Sequence, residues 1–167
     1  MTITTEDRKV IREVFELMEK KTTHMLPEVM VNPVTKYTSP EQVQKEIDVL
    51  FRKFPLILGH ISQVAEPGDF FTHDTTGVPI LVTRTQSGEL KAYLNVCRHR
   101  GARLQNEPCG KARTFSCPYH SWTYGLDGKL RGMPHPAGFE GVDRSQLGLV
   151  ELPAWERFGL IWAMPSV

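Results

Sequence analysis

Two short segments of the chain each combine one cysteine with one histidine. The first contains Cys97 and His99, and the second contains Cys117 and His120, which gives the pattern C-x-H followed by C-x-x-H. Cysteine thiolates favour iron–sulfur clusters, zinc and copper(I), whereas imidazole suits zinc and iron. Four such side chains on two short loops can therefore close around one inorganic centre.

Because each segment combines one cysteine with one histidine, the pattern helps to distinguish between the metal centres that could bind here. A structural zinc site usually groups its ligands as paired cysteines and paired histidines. In a two-iron cluster, one iron can take both thiolates and the other both imidazoles. Two loops that face each other must then each reach both irons, so each supplies one ligand of each kind. This is the Rieske form of the [2Fe–2S] cluster, in which two histidines replace two cysteines on one iron. Zinc is the alternative occupant of the same four residues.

The residues around these ligands extend the pattern. Cys97–Leu104 reads CRHRGARL, Cys117–Tyr124 reads CPYHSWTY, and Leu126-Asp127-Gly128 follows. These motifs resemble the Rieske domain of ring-hydroxylating oxygenase α subunits, and the similarity extends over residues 39–165. The resemblance implies a [2Fe–2S] cluster bound by the two cysteines and two histidines above. It also implies supporting roles for five neighbours: Arg100, Gly101, Pro118, Trp122 and Tyr124.

Comparison with other Rieske proteins favours the oxygenase type. Cytochrome bc-type Rieske proteins have a disulfide between the two loops, and the corresponding residues here are Ala102 and Tyr119. Rieske ferredoxins typically have a small or apolar residue where this chain has Arg100. One departure from the oxygenase pattern is Ser121, because the family usually has glycine after the second ligand histidine. Glycine at that position permits an unusual backbone conformation.

The resemblance implies one-electron transfer. In the family, a reductase or ferredoxin donates electrons to the cluster. The acceptor is a mononuclear non-haem iron in a C-terminal catalytic domain or a neighbouring oxygenase subunit. Two histidines and one carboxylate hold such an iron, and the family pattern for them is D-x-x-H-x₃₋₅-H. The remaining histidines do not fit that pattern: His24, His60, His73 and His135.

We therefore expect the chain to be the N-terminal electron-transfer part of a longer oxygenase subunit, in which the mononuclear Fe(II) lies elsewhere. By itself it would hydroxylate nothing. Two alternatives stay open at this point. One is a stand-alone electron carrier similar to a Rieske ferredoxin, and the other is a zinc-stabilised interaction module.

Composition excludes several other classes. The chain has 167 residues, of which 40% are hydrophobic and 23% charged, as is typical of globular domains. The net charge of +1 gives no sign of nucleic-acid binding. The polar N-terminus lacks a secretory segment, and no apolar run approaches the roughly 18 residues of a membrane span. Three cysteines do not suggest a disulfide framework. We expect a cytoplasmic protein that binds neither nucleic acid nor membrane.

Seven basic residues lie in and around the two ligand segments: Arg98, Arg100, Arg103, Lys111, Arg113, Lys129 and Arg131. One interpretation is a docking face for an acidic ferredoxin or reductase. The other is an ordinary solvated loop surface. The sequence does not decide between them.

The elements that must position the two ligand segments are mostly strands. Nine short apolar or alternating runs predict them: Leu56–Leu58, Ile61–Val64, Phe70–Thr72, Val78–Thr83, Leu90–Val96, Thr114–Cys117, Trp122–Tyr124, Leu147–Leu152 and Phe158–Met164. Turn signals such as Asp127-Gly128 separate them. This pattern predicts an all-β fold, an antiparallel β-sandwich with the cluster at the tips of two hairpin loops.

Helices are predicted before the strands. Residues 4–20 have apolar side chains at helical spacing, with Thr4 and Asp7 as a capping pair. This helix is interpreted as an element for packing or for forming a homo-oligomer.

A second helix is predicted from Ser39-Pro40, a cap followed by a first-turn proline, up to Pro55. Residues 21–38 contain two prolines and are predicted to be extended. We therefore divide the chain into an N-terminal helix and arm, 1–38, and a Rieske domain, 39–165.

Overall fold

The computed structural model of the chain describes residues 3–166. The chain forms two compact units, Met1–Tyr37 and Thr38–Val167. Within the described residues, no helix is both long and apolar enough to cross a lipid bilayer.

The first unit is built around helix α1, Thr5–Glu19. The helix begins at the predicted cap: the Asp7 N–H donates to the Thr4 hydroxyl at 3.2 Å, and the Asp7 carboxylate accepts from the Thr4 N–H at 2.8 Å. This reciprocal capping satisfies two N–H groups that a helix start otherwise leaves free. The segment after α1 is irregular, but its end forms a short helix, α2, Thr35–Thr38, where an extended arm was predicted.

The second unit begins with helix α3, Pro40–Glu46, which is capped by the Ser39 hydroxyl. The helix then widens into a π-helix, Ile47–Phe51. Sequence periodicity predicts one continuous helix here and gives no sign of the change in winding. A π-helical turn inside a helix is rare and appears mostly as a single turn.

Eleven strands follow in the described residues: β1 Leu56–His60, β2 Asp69–His73, β3 Ile80–Arg84, β4 Leu90–Leu94, β5 Cys109–Lys111, β6 Thr114–Ser116, β7 Thr123–Gly125, β8 Leu130–Gly132, β9 Glu151–Leu152, β10 Ala154–Arg157 and β11 Leu160–Ala163. They form three sheets with the orders β1-β11-β10, β5-β2-β3-β4-β9 and β6-β7-β8. All strand pairs are antiparallel. The predicted all-β antiparallel fold is confirmed, and no sheet among the described residues closes into a barrel.

One strand prediction is wrong. Ile61–Val64 forms a single 3₁₀ turn instead of a strand. The His60 ring caps this turn, because its Nδ1 accepts from the Ser62 N–H at 3.2 Å, and the Gln63 side chain accepts from the His60 N–H at 2.8 Å. These local hydrogen bonds replace the strand pairing that four apolar-rich residues suggest.

The five-stranded sheet is the middle layer of the second unit. Successive side chains of each strand point to opposite faces of the sheet, so that Phe70 and Leu81 face one side while Phe71 and Ile80 face the other. The first side packs against the β6-β7-β8 sheet through buried aromatic side chains: Tyr93, Phe115, Trp122 and Tyr124. The second side packs against β11, whose Ile161 is fully buried. Both predicted ligand loops project from the first of these two cores.

Candidate metal centre

The two ligand loops, hereafter the first loop (97–102) and the second loop (117–122), adopt the same backbone turn. In each, the cysteine N–H donates to the carbonyl five residues later, and the cysteine carbonyl accepts from the N–H four residues later. The bonds join Cys97 to Ala102 and Gly101, and Cys117 to Trp122 and Ser121, with lengths of 2.8 and 3.0 Å in both loops. Both turns thus place their cysteines at the same point of equivalent loops.

The shared turn explains why the family usually has glycine directly after the second ligand histidine. The residue four places after each cysteine has a left-handed backbone, with φ of +72° at Gly101 and +56° at Ser121. Glycine adopts this conformation freely, while another residue there loses about 1–2 kcal/mol. Ser121 therefore adopts a strained conformation that the usual glycine would take without cost.

Asn95 holds the base of the first loop. It is fully buried. Its side-chain amide donates to the Gln105 carbonyl at 2.7 Å, and its side-chain oxygen accepts from the Gln105 N–H at 2.9 Å. The sequence reasoning missed this residue. The available signal was a lone amide inside the apolar run Leu90–Val96, since a buried polar side chain is kept only where it is hydrogen-bonded.

The two cysteines lie together in the core beneath the loops. Cys97 is 2% exposed and Cys117 is 3% exposed. Burial raises the pKa of the Cys97 thiol, while its contact with the Tyr124 hydroxyl, 3.3 Å from Sγ, works in the opposite direction. The Tyr124 hydroxyl accepts from the Arg98 N–H at 3.1 Å, so its own hydrogen is free to point at the sulfur. Bound metal is what makes a buried thiol of this kind ionise.

The two histidines form a second pair above the cysteines. The rings of His99 and His120 are 4.8 Å apart, and the Nδ1 atom of each is buried with no hydrogen-bond partner. A buried polar atom without a partner is costly and needs an explanation. Burial lowers the pKa of His99, helped by the charges of His120 and Arg100. The neutral imidazole is the form that binds metal.

The environments of the two histidines differ. Trp122 stacks on the His99 ring at 4.9 Å and 9°, and Phe139 meets the same ring edge-on at 5.8 Å. The His120 ring instead contacts Tyr119 at 3.8 Å, and Tyr119 is 61% exposed. Both histidines are half-buried, but His99 contacts a buried ring and His120 contacts an exposed one. Nothing in the sequence connects Phe139, which lies in a 3₁₀ turn, to this site.

The arrangement fits a two-iron cluster better than a single metal ion. The two buried thiols form one pair, and the two imidazoles form another, with their ring centroids 4.8 Å apart. A zinc ion needs three or four converging protein ligands. Each iron of a Rieske cluster takes only two, both cysteines or both histidines. The residues present are grouped in that way.

The five supporting residues fall into two groups. Trp122 and Tyr124 are buried beneath the loops. Arg100, Gly101 and Pro118 are exposed at the loop tips.

The seven basic residues near the loops also fall into two groups, those with an ion-pair partner and those without one in the described residues. Three of them have ion-pair partners: Arg103 with Asp74, Lys111 with Asp69, and Arg131 with Asp127. Four show no ion pair within the described part of the chain: Arg98, Arg100, Arg113 and Lys129. The free cations closest in sequence to a candidate ligand are Arg98 and Arg100, on either side of His99.

The remaining histidines lie in separate elements. His24 is 3.5 Å from Glu13 in the first unit, and the His60 ring contacts the Ser62 hydroxyl at 2.8 Å. His73 is at the end of β2, and His135 precedes a 3₁₀ turn.

Comparison with known proteins agrees with this geometry. A family model described as "Rieske [2Fe-2S] domain" matches residues 54–153. The chain is 31% identical to biphenyl 2,3-dioxygenase subunit alpha of Rhodococcus jostii over 152 residues, which are 90% of this chain and 32% of that protein. It is 38% identical to chloroplastic choline monooxygenase of Beta vulgaris over 138 residues, which are 80% of this chain and 30% of that protein.

A solved structure supports the same relationship. The quaternary ammonium Rieske monooxygenase CntA superposes with a TM-score of 0.73 and 34% identity, over 79% of this chain and 38% of that one. The chain thus spans about a third of the length of the curated relatives it matches. With a matching family model, two cysteines and two histidines in two equivalent turns, and a shared antiparallel fold, the chain belongs to the Rieske [2Fe–2S] domain family.

Proposed function

We propose that the chain is the electron-transfer domain of a Rieske oxygenase. It would accept one electron at a time from a reductase or ferredoxin. It would deliver that electron to a mononuclear non-haem iron in a catalytic domain or neighbouring oxygenase subunit outside residues 1–167. The observation that carries the proposal is the pairing of two buried thiols with two imidazoles whose Nδ1 atoms lack partners.

Four side chains would hold the cluster, which when bound supplies reversible one-electron exchange. The Sγ atoms of Cys97 and Cys117 would bind one iron, and the Nδ1 atoms of His99 and His120 the other. The core excludes water from the thiolates, since both cysteines are buried. The Tyr124 hydroxyl donates toward the Cys97 sulfur.

The exposed edge of the site is where electrons would leave or enter. Both imidazoles are half-buried at that edge, and His120 contacts the exposed Tyr119 ring. Arg98 and Arg100 are exposed and unpaired in the described residues, which supports an acidic electron donor at the first loop. Complementary charge of this kind raises association rates more than affinity.

The proposal is limited to electron delivery. The relatives' names include both dioxygenases and monooxygenases, acting on biphenyl and choline respectively. The proposed location is the cytoplasm, where a reducing environment suits a chain whose three cysteines are all free of disulfides.

Electron paramagnetic resonance of the purified chain tests this function. After dithionite reduction we expect a rhombic signal of low average g that is absent before reduction. We also expect two irons and two acid-labile sulfides per chain. Cys117→Ser should abolish the signal, while the matched control Cys109→Ser, which changes an exposed cysteine of β5, should keep it. Zinc without sulfide, persisting after anaerobic reconstitution, would contradict the proposal.

A further inference from the structure

The two ligand loops differ in how their stems are held. Each loop is closed by one residue pair that flanks the shared turn: Val96 pairs with Arg103 around the first loop, and Ser116 pairs with Thr123 around the second. We call these pairs the first stem and the second stem. In the second stem the two hydroxyls lie 2.9 Å apart and bond to each other. Valine has no polar side-chain atom, so the first stem has no such bond across it.

The backbone also supports the first stem less. The second stem is the last of three residue pairs that join β6 to β7, whereas the first stem is a single antiparallel bridge outside the strands. The bond that continues the first stem, from the Leu104 N–H to the Asn95 carbonyl, is long at 3.4 Å, compared with about 2.9–3.0 Å for most such bonds. The first loop therefore depends more on contacts from outside its own stem.

Arg103 makes such a contact from the first stem itself. Its guanidinium donates to the carboxylate of Asp74 at 2.5 Å, and Asp74 directly follows β2 in the connection to β3. That connection is itself held in place. The Gly77 N–H donates to the Asp74 carbonyl at 2.9 Å, and the Asn95 N–H donates to the Pro79 carbonyl at 2.8 Å. The carboxylate that Arg103 binds therefore comes from a fixed turn.

This ion pair acts locally. Both side chains are partly exposed, Arg103 by 39% and Asp74 by 48%, and exposed ion pairs contribute little to global stability. A hydrogen bond between charged groups is nevertheless short and directional. Here it holds the residue that follows Ala102, whose carbonyl accepts from the Cys97 N–H at 2.8 Å. Loss of the ion pair should thus loosen the first loop without unfolding the protein.

We infer that Asp74 and Arg103 are positioning residues for the first loop, which fix its C-terminal end and thereby the side chains of Cys97 and His99. The inference rests on the proposed function, because the orientation of those two side chains matters to electron transfer only if they hold a cluster. The second loop is closed within its own hairpin by the bond across the second stem.

Hydrogen exchange, measured by mass spectrometry on the full chain, compares the two loops within one molecule. In Asp74→Asn, the amides of the first loop should exchange about two- to fivefold faster, the range that an exposed ion pair provides, and those of the second loop should not change. Glu151→Gln is the matched control, because it breaks an ion pair with Lys91, 2.7 Å long, that lies outside both stems. It should leave both loops at the wild-type rate. Equal acceleration in both loops, or none in either, would overturn the inference.

Release of iron to a chelator tests the effect on the metal centre. Asp74→Arg and Arg103→Asp should each accelerate release by about two- to fivefold and broaden the reduced-state paramagnetic resonance. The double exchange restores the ion pair in the opposite direction, so it should release iron at close to the wild-type rate and recover the narrow signal. Urea unfolding should differ little among these variants, which separates positioning from a general loss of stability.

The outcomes of this charge exchange are distinct from those of the proposed function. A double variant that releases iron as fast as the single variants would overturn the inference while leaving the electron-transfer proposal in place. A wild type without any reduced-state signal would contradict the proposed function. The exchange rates would still decide whether the ion pair holds the first loop.

Discussion

The first and second loops share one backbone turn but differ in what surrounds their histidines. Trp122 stacks on His99 from within the core, whereas Tyr119, the ring against His120, is exposed. The same turn therefore presents two half-buried candidate ligands, one packed against a buried ring and one against an exposed ring. Equivalent backbone geometry places the two candidate ligands, and packing decides which aromatic side chain lies against each of them.

The test with the largest expected effect replaces the two aromatic neighbours with alanine, one at a time. Trp122→Ala should lower the free energy of unfolding by about 3–5 kcal/mol, because it deletes a large buried side chain and the support of His99. Tyr119→Ala should change it by less than about 0.5 kcal/mol, as for other exposed positions. Urea unfolding of the two variants, with iron content measured in parallel, provides the comparison. Similar losses would show that the two loops are not packed differently.

The second test addresses how the base of the first loop is held. Asn95→Leu keeps a similar volume but leaves the N–H and carbonyl of Gln105 without their partners. We expect a loss of about 2–4 kcal/mol, since each buried group left unpaired costs about 1–3 kcal/mol. Thermal and urea unfolding measure the effect. The exposed neighbour Asn106→Leu is the control, and an equally small change in both variants would refute the role of Asn95.

The third test concerns the hydrogen bond between the Tyr124 hydroxyl and the sulfur of the candidate ligand Cys97. Tyr124→Phe removes the hydroxyl that lies 3.3 Å from Cys97 Sγ. A hydrogen bond to sulfur stabilises the electron-rich reduced state. We therefore expect the reduction potential to fall by roughly 40–60 mV, the equivalent of about 1–1.5 kcal/mol for one electron.

Protein-film voltammetry would measure this potential. Tyr93→Phe is the matched control, because its equally buried hydroxyl donates to the Leu126 carbonyl at 3.1 Å and contacts no candidate ligand. It should lower stability while leaving the potential within about 10 mV of wild type. A similar drop in both variants would assign the effect to general loosening of the core.

The four candidate ligands could be identified from the sequence because cluster chemistry constrains residue type and spacing directly. Cys97 and His99 must come from one tight turn, and Cys117 and His120 from another. The capping pair of α1 was identifiable for the same reason, since it depends on residues three apart. Features fixed by local chemistry are therefore visible in one sequence.

Features that depend on packing between distant residues could not be predicted from the sequence. Phe139 reaches His99 only because a 3₁₀ turn folds back over the loops. The run Ile61–Val64 was mispredicted for a different reason: it resembles a strand by hydrophobicity, but local hydrogen bonds of His60 with Ser62 and Gln63 make it a 3₁₀ turn. β5, with the sequence Cys-Gly-Lys, has no strand pattern and is formed by pairing with β2. Each of these depends on partners that periodicity does not encode.

The smallest effect is predicted for an exchange of residues between the two loops. Ser121→Gly should stabilise the protein by about 1 kcal/mol, because glycine takes the left-handed backbone without strain. Gly101→Ser should destabilise it by a similar amount through strain alone, since an added Cβ there meets no atom within 4 Å. The double exchange should come close to wild-type stability, with each change measured by urea unfolding. Because the two turns have the same hydrogen bonds, equal and opposite effects follow from their equivalence. Stabilisation by Ser121→Gly without a matching loss from Gly101→Ser would show that the loops differ in backbone strain as well as in packing.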